Sequence, residues 1–435
     1  MKIKQLIPLF ASATFAGGLM HNTNQSTDFV RNFAQDASTT TSAVYYNPAG
    51  TAFMNDGLYV SAHSQTVWQT REIETDKLGD YEGKSFVPVM PSLLVNWHHG
   101  DFALSGGFYI IGGGGEAKFN KGLPLIDALL SQTIQKTAEQ NPALGQQLGQ
   151  LMSAYNIQSP TQLYEAKFVG KQYVYAWQIG ASYRFMDMFS AFLGARLNYA
   201  YNSYNGSMKS LVPSEKLDAK LKAMLNTTLL DCEQTGWGIT PIASLGFHYK
   251  KFSAGIKYEH NTFIEMKNET DKIDKVVTKY MPQFIDGKKS DNDLPGFLSV
   301  GLNYAWTDRF RTGIGYHHYF DTFANYPQGK QDDLDGDENE FVFGVEADIL
   351  KPLTVSASVQ RTMYGITDDY ISDLSFVTDS WSVGGGIAFR FTENLQVQVG
   401  YMETLYEEYT KKENGIKKTY DRTSHNIAAG IDFKI

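Results

Sequence analysis

Two pairs of adjacent histidines and one acidic segment have residue types that could bind a metal ion. His98-His99 and His317-His318 each lie in a segment of alternating polarity. Neighbouring residues of a strand point to opposite faces, so neither pair can close on one ion. The acidic segment, residues 332–338, resembles a calcium loop but lacks the EF-hand spacing. We therefore predict no metal centre and no cofactor.

Other catalytic and nucleic-acid signatures are also missing from the sequence. No GxSxG, CxxC, HExxH or GxxxxGK pattern occurs. Serine, histidine and aspartate are all present, but no local motif around a serine marks it as a nucleophile. No local motif therefore supports an esterase activity, and we predict that the protein is not an enzyme. The formal net charge of −9 argues against a nucleic-acid partner. The single cysteine, Cys232, excludes an intrachain disulfide.

The first sixteen residues read as a secretory signal peptide. Lys2 and Lys4 precede a short apolar run from Leu6 to Phe15, and cleavage is expected after Ala16. No later apolar run approaches the ~18–20 residues that a membrane helix needs. The chain is therefore predicted to be exported, and to be either soluble or an outer-membrane barrel.

Most of the chain after residue 56 alternates between apolar and polar residues. Short turns occur near residues 100, 187, 250, 308, 352 and 393, and longer connections lie between them. Short turns that alternate with long loops are typical of an outer-membrane barrel. We predict an all-β, fourteen-stranded antiparallel transmembrane barrel over residues 56–435. The predicted strands are 57–70, 86–98, 102–111, 166–184, 189–204, 235–250, 252–266, 293–306, 309–323, 339–350, 353–365, 374–391, 394–409 and 419–435.

The segment before the first strand is neither strand-like nor helix-like. We predict that residues 17–55 form a plug, or hatch, inside the barrel. Asn47-Pro48-Ala49-Gly50 ends this segment with turn chemistry and two small residues that permit close backbone approach. An ordinary surface turn before the first strand is the alternative.

Some of these residues carry a resemblance to a known family. Gly17-Gly18-Leu19, residues 31–38 and the Tyr46 to Gly50 motif resemble the long-chain fatty-acid outer-membrane transporters. This FadL-like family includes importers of aromatic hydrocarbons. The resemblance implies a monomeric barrel with an N-terminal hatch whose motif falls on Asn47, Pro48 and Ala49. It also implies loop capture of a hydrophobic ligand and lateral exit at a kink in the third strand.

Four consecutive glycines, Gly112, Gly113, Gly114 and Gly115, follow the third predicted strand. Glycine has no side chain to pack and permits backbone shapes closed to other residues. These four residues are our candidates for a lateral opening, and a flexible lead into a long loop is the alternative.

The alternation along the predicted strands places four basic side chains on the lumenal face: Arg196, Lys257, Arg311 and Arg390. Each could pair with a ligand head group. Interior charges are expected to find partners, so pairing with the lumenal acids Glu259, Glu346 and Asp348 is the alternative.

Two of the long connections carry a helical pattern, 123–155 and 213–230. Their apolar faces would pack on another loop or offer a landing site for a ligand. The resemblance and the barrel pattern together predict a passive importer of hydrophobic small molecules in the outer membrane of a Gram-negative bacterium, in contact with lipid and lipopolysaccharide. A general diffusion porin or a structural adhesin is the alternative.

Overall fold

The computed structural model describes residues 23–435 except Leu374 and Asn414, so the predicted signal peptide lies outside the described residues. One continuous sheet forms the wall. Its strands are β1 (Gly57–Thr75), β2 (Tyr81–His99), β3 (Phe102–Phe119), β4 (Tyr164–Phe185), β5 (Phe189–Ser210), β6 (Thr227–Tyr249), β7 (Phe252–Glu259), β8 (Glu265–Ile273), β9 (Lys289–Asp291), β10 (Gly296–Ala305), β11 (Phe310–Phe320), β12 (Gly336–Leu350), β13 (Leu353–Gly365), β14 (Ser380–Thr392), β15 (Leu395–Tyr406), β16 (Tyr409–Glu413) and β17 (Ile416–Lys434).

These strands make fourteen antiparallel spans. Three spans are interrupted and consist of β7 with β8, β9 with β10, and β15 with β16. The sheet closes where β1 pairs with β17, from Tyr59 opposite Lys434 to Thr75 opposite Lys418. We call this pairing the seam. The predicted fourteen-stranded closed barrel is confirmed.

Several predicted strand limits are wrong. Residues 112–119 belong to β3, so the four glycines lie within the strand rather than after it. Similarly, β5 and β6 stay paired out to Met208 and Thr227. Backbone pairing continues past the point where apolar alternation ends, and alternation was the only signal available to the prediction.

The wall has an apolar outer face and a largely polar inner face. Side chains of Trp97, Trp237 and Ile179 are exposed on the outside, whereas Asn198 and Gln398 are buried on the inside. Aromatic side chains beside the short turns are exposed as the alternation predicts. They are Trp97, Phe102, Phe185, Phe189, Tyr249, Trp306, Phe310, Phe389 and Phe391.

The two ends of the barrel differ. We call the end with the short turns the turn end and the other the loop end. The helices are α1 (Thr27–Arg31), α2 (Ala43–Tyr46), α3 (Pro124–Gln140), α4 (Pro142–Ala154), α5 (Ala219–Leu225) and α6 (Lys275–Tyr280), with 3-10 turns at Pro48–Phe53, Pro160–Leu163, Ser214–Lys216, Pro282–Phe284, Asp321–Phe323 and Pro327–Asp333. Within the described part of the chain, no helix is long and apolar enough to cross a bilayer.

The helical loops are shorter than predicted. The stretch 123–155 is two helices, because the Asn141 side chain caps α4 by accepting from the Leu144 amide and Pro142 begins that helix. In the second loop, α5 begins after the cap residue Asp218 rather than at Pro213.

Apolar faces of α3, α4 and α5 pack on the strands at the loop end. Ile126, Leu148 and Leu221 join one core with Ile73 and Tyr420 of the wall. This loop cover encloses the outer part of the bore by hydrophobic burial.

Candidate functional site: the N-terminal segment and an adjacent gap in the wall

Residues 23–54, which we call the N-terminal segment, lie inside the barrel. Almost all of them are buried. Helix α1 contacts β13, β14, β15, β17 and β1, and the 3-10 turn Pro48–Phe53 contacts β2 to β7. A segment that touches strands all around a closed sheet lies within the bore.

The Asn47 to Gly50 motif fixes the course of this segment. The Asn47 side chain donates from Nδ2 to the Ser38 carbonyl at 3.0 Å, and Pro48 opens the 3-10 turn. A Cβ on Gly50 would lie 2.2 Å from the Ser38 carbonyl oxygen. Only glycine permits this approach. On the wall, Gly255 allows the same closeness, since its Cβ would lie 2.1 Å from the Asp36 carbonyl oxygen.

Charged side chains tie the segment to the wall. Arg31 pairs with Asp28 of its own helix and with Glu346 of β12, each at 3.2 Å. His317 of β11 lies between Asp36 of the segment, at 2.9 Å, and Glu340 of β12, at 2.7 Å. These contacts are buried, so they are weakly screened by salt and specific in geometry.

A second buried cluster joins the segment to the opposite wall. Glu259 accepts from Arg196 at 2.6 Å and 2.7 Å and lies 2.8 Å from Lys257. The ammonium of Lys257 donates to the Tyr45 carbonyl oxygen at 2.9 Å and lies over the Tyr45 ring. Two of our head-group candidates therefore share one wall carboxylate and contact Tyr45 of helix α2.

The other two head-group candidates lie near the turn end. Arg311 pairs with Glu346 and, at 3.2 Å, with Asp348. Arg390 is exposed and lines a cavity at that end. The acids Glu259, Glu346 and Asp348 are the partners that the alternative proposed, and a head-group role for the four basic residues stays a prediction.

The pairing between β2 and β3 is interrupted over seven residues of β2. Pairs run from Gly83–Phe119 to Ser85–Ala117 and resume only at Leu93–Phe108. Residues 86–92 of β2 and 109–116 of β3 therefore face each other without ladder pairs. We call this part of the wall the β2–β3 gap.

Both strands carry residues that weaken pairing in the gap. Pro88 and Pro91 of β2 have no amide hydrogen to donate. In β3, Gly113 and Gly115 have φ of +93° and +76°, which other residues rarely adopt. The register of β3 against β4 also shifts at Gly112. The sequence prediction noted the glycines but missed the two prolines, which are unusual in a strand that pairs on both sides.

An apolar cluster of the lumen lies beside the gap and continues onto strands elsewhere around the bore. The side chains beside the gap come from four neighbouring strands and from helix α2. They are Leu94, Tyr109, Ile111, Val174, Ala176, Ala200, Val44 and Tyr45, all buried in one cluster. The ring of Tyr109 makes an edge contact with Tyr45, 4.9 Å between centroids. An apolar molecule beside the gap would therefore contact apolar groups of both the wall and the N-terminal segment.

A cavity of about 690 Å³ lies at the turn end, below the N-terminal segment. Its lining is mostly polar and charged and includes Arg311, Arg390, Glu346 and Lys434. Moving an apolar molecule through such a lining forfeits hydrophobic stabilisation at about 25 cal/mol per Å². The lining of this cavity therefore suits polar molecules better than apolar ones.

The loop cover contains one buried acid, Asp127 of α3. It accepts hydrogen bonds from the Tyr81 hydroxyl at 2.7 Å and the Tyr164 hydroxyl at 3.2 Å. Burial raises the pKa of Asp127 to about 6, although the two hydroxyl donors oppose the shift. Between the ordinary value of 3.8 and about 6, the packed cover binds the proton that the open loop releases. Packing of the cover is thus favoured at low pH and weakens as pH rises through this window.

We expect Asp127→Asn to remove this pH dependence. The neutral amide has no ionised form to desolvate, so at pH 7.5 helix α3 should exchange its amide hydrogens severalfold more slowly than in the wild type. Hydrogen exchange at pH 5 and pH 7.5, corrected for intrinsic rates, measures the effect. Asp218→Asn is the matched control, since Asp218 is exposed and asparagine also caps helices. Equal pH dependence in Asp127→Asn and the wild type would contradict this assignment.

Comparison with known proteins places the fold. No family model and no curated protein sequence matches the chain. Among solved structures, it is similar to a FadL homologue of Pseudomonas aeruginosa, with a TM-score of 0.66 and 11% identity over 96% of this chain and 99% of that one. It is also similar to the toluene transporter TodX of Pseudomonas putida, with a TM-score of 0.56 and 12% identity over 92% of this chain and 95% of that one. A third similar structure is the toluene transporter TbuX of Ralstonia pickettii, with a TM-score of 0.52 and 13% identity over 91% of this chain and 94% of that one.

The protein thus has the fold of the FadL-like outer-membrane barrels, and the predicted resemblance is confirmed at the level of the fold. At 11–13% identity, the functional roles of residues in those proteins cannot be assigned to residues of this chain.

Proposed function

We propose that the protein is a passive outer-membrane transporter of a Gram-negative bacterium that imports hydrophobic small molecules, with long-chain fatty acids or similar compounds as the leading class. The N-terminal segment acts as the hatch that blocks the bore. Ligand enters beneath the loop cover, reaches the apolar patch beside Tyr109 and leaves sideways through the β2–β3 gap. The glycines 112–115 and the prolines opposite them keep that gap open.

The observation that carries this proposal is the coincidence of the gap with the apolar patch. Pairing in the wall is interrupted beside an apolar cluster of the lumen, which also extends to strands elsewhere around the bore. An open stretch of backbone in a lipid-facing wall leaves polar groups without partners, which is costly in hydrocarbon. A functional role accounts for that cost, whereas a structural adhesin or a general porin requires no such feature.

Two further features support a hydrophobic cargo. The axial route is occupied by the N-terminal segment, and the cavity below it is polar. We propose that the protein acts as a monomer, because one barrel contains the bore, the patch and the gap. In the acidic stretch 332–338, the exposed acids Asp332 and Asp335, which precede β12, are proposed to face lipopolysaccharide and share divalent ions with it.

Uptake by cells tests the proposal. A Gram-negative host that lacks its own importers of hydrophobic compounds is given the gene or an empty vector, and uptake of a radiolabelled long-chain fatty acid and of a labelled disaccharide is followed. The proposal predicts faster fatty-acid uptake and unchanged disaccharide uptake. Disaccharide entry that rises in parallel would favour the porin alternative.

A further inference from the structure

One acid of the N-terminal segment meets two residues of the seam. Asp28 lies in α1, His63 in β1 and Asp432 in β17. One ligand atom from each lies within 4.8 Å of the others. Gly430, opposite His63 in register, makes this possible, since a Cβ there would lie 2.2 Å from His63 Nδ1. The three residues thus bring two carboxylates and an imidazole together between the segment and the wall.

His63 is buried and has an unused ring nitrogen. The residue is 3% exposed. Its Nδ1 lies 3.2 Å from the Thr27 hydroxyl oxygen and accepts from the Thr27 backbone amide at 3.4 Å. Nε2 has no hydrogen-bond partner among the described residues. Metal binding at Nε2 places the ring proton on Nδ1, which then donates to the Thr27 hydroxyl and gives up the long contact with the Thr27 amide. A buried polar atom without a partner costs free energy, and an ion would remove that cost.

The two carboxylates have too little positive charge near them. Arg31 pairs with Asp28 but is shared with Glu346. Asp432 makes no ion pair within the described part of the chain. Asp432 instead accepts from neutral donors: the Ser61 hydroxyl at 2.5 Å, the Gln396 amide at 3.2 Å and the Gln398 amide. The amide nitrogen of Gln398 also donates to Asp28, at 3.1 Å. A dication would replace this neutral donor between the carboxylates with a full charge.

The donor set selects the kind of ion. One imidazole nitrogen with two carboxylate oxygens suits zinc and related transition metals, whereas calcium and magnesium prefer oxygen ligands alone. Asp28 and Asp432 also line the cavity at the turn end, so an ion can reach them from that side. An ion ~2.0–2.2 Å from each ligand would draw the three side chains slightly closer.

We propose that Asp28, His63 and Asp432 bind a divalent transition-metal ion of the zinc type, which ties the N-terminal segment to the seam of the barrel. The ion adds a coordinate link to a segment otherwise held by hydrogen bonds and ion pairs. By mass action, it stabilises the state in which the segment is seated against β1 and β17. The inference concerns ion binding and stands independently of the transport proposal.

Zinc titration of the purified full chain in detergent tests this site, with any affinity tag free of histidine. Isothermal titration calorimetry at pH 7 is expected to show one tight zinc site per chain. His63→Gln and Asp432→Asn should each weaken binding by at least about tenfold. The matched control is His248→Gln, because His248 lines the same cavity but lies outside the cluster; it should bind zinc like the wild type.

A second measurement on the wild-type protein guards against variants that fail to fold. Zinc should slow hydrogen exchange in the peptide that contains Asp28, and cobalt should give the visible absorption bands of a nitrogen–oxygen site. Magnesium should produce neither effect. The proposal is overturned if the wild type binds no zinc at micromolar concentration, if His63→Gln binds as tightly as His248→Gln, or if zinc leaves the Asp28 peptide unprotected.

Discussion

A disulfide across the β2–β3 gap is expected to lower uptake of a hydrophobic solute at least about tenfold. This corresponds to an increase of about 1.4 kcal/mol in the activation free energy of escape. The variant is Val87→Cys with Gly115→Cys. If the register of the last pairs continued into the gap, Val87 and Gly115 would be partners. A Cβ on Gly115 would lie 2.2 Å from a methyl carbon of Val87. Removing that valine makes room for a bond whose Cβ atoms are usually ~3.5–4.5 Å apart.

The physical reason for the loss is that the bond would hold the two strands together at the loop-end limit of the gap. It would shorten the opening and restrict its widening when a ligand passes. Cysteine at position 115 retains a positive φ, which costs roughly 1–2 kcal/mol and is small beside the stability of a closed barrel. The native Cys232 is buried and should not compete for pairing.

The same protein supplies its own comparison, because reduction of the disulfide should restore uptake. Val355→Cys with Ile387→Cys is the matched control, since these residues pair on the outer face of regular strands β13 and β14. Oxidised control protein should transport like the wild type. Normal uptake through the oxidised 87–115 variant, with the bond verified by mass spectrometry, would rule out the gap as the exit.

Deleting residues 23–54 is expected to raise ion conductance in planar bilayers by at least about tenfold. The segment fills the bore between strands on opposite sides, and a fourteen-stranded wall without it encloses a polar lumen wide enough for water. The wall acid Glu346 would then lose Arg31, its partner in the segment, whereas Glu259 would keep its wall partners Arg196 and Lys257. Single-channel recording measures the conductance.

A deletion of similar length at the loop end provides the control. Removing residues 124–154, replaced by a short flexible linker, takes away α3 and α4 but leaves the N-terminal segment seated. That variant should conduct no better than the wild type. High conductance in the wild type itself, or in the 124–154 deletion alone, would mean that the N-terminal segment does not block the bore.

The strand count could be predicted from sequence because its signals are local. Alternation reports which face a residue occupies, and a short turn such as Lys351-Pro352 marks where two spans join. Strand ends could not be predicted, since beyond the apolar band only backbone pairing identifies a strand. The break of one span between Glu259 and Glu265 leaves no sign in the hydrophobic pattern.

The candidate site was predictable only in part. The alternation along β5 and β7 showed which side chains face the lumen, so only a few lumenal acids could pair with Arg196. Identifying Glu259 as the partner required the register between strands, which the sequence does not show. The predicted strand 86–98 contained Pro88 and Pro91, and two prolines in a paired strand were the available sign of weak pairing. Asp28, His63 and Asp432 meet only through closure of the barrel, which no local pattern encodes.

Photoaffinity labelling of a bound ligand tests the lateral route most directly. A fatty acid with a diazirine near its middle is loaded into the barrel in native outer membranes, photolysed, and the labelled residues are mapped by mass spectrometry. We predict labels on β2 and β3 beside the gap, at residues such as Met90, Tyr109 and Ile111. Labels confined to residues that line the turn-end cavity, such as Tyr59 and Arg390, would contradict lateral exit and place the route along the axis.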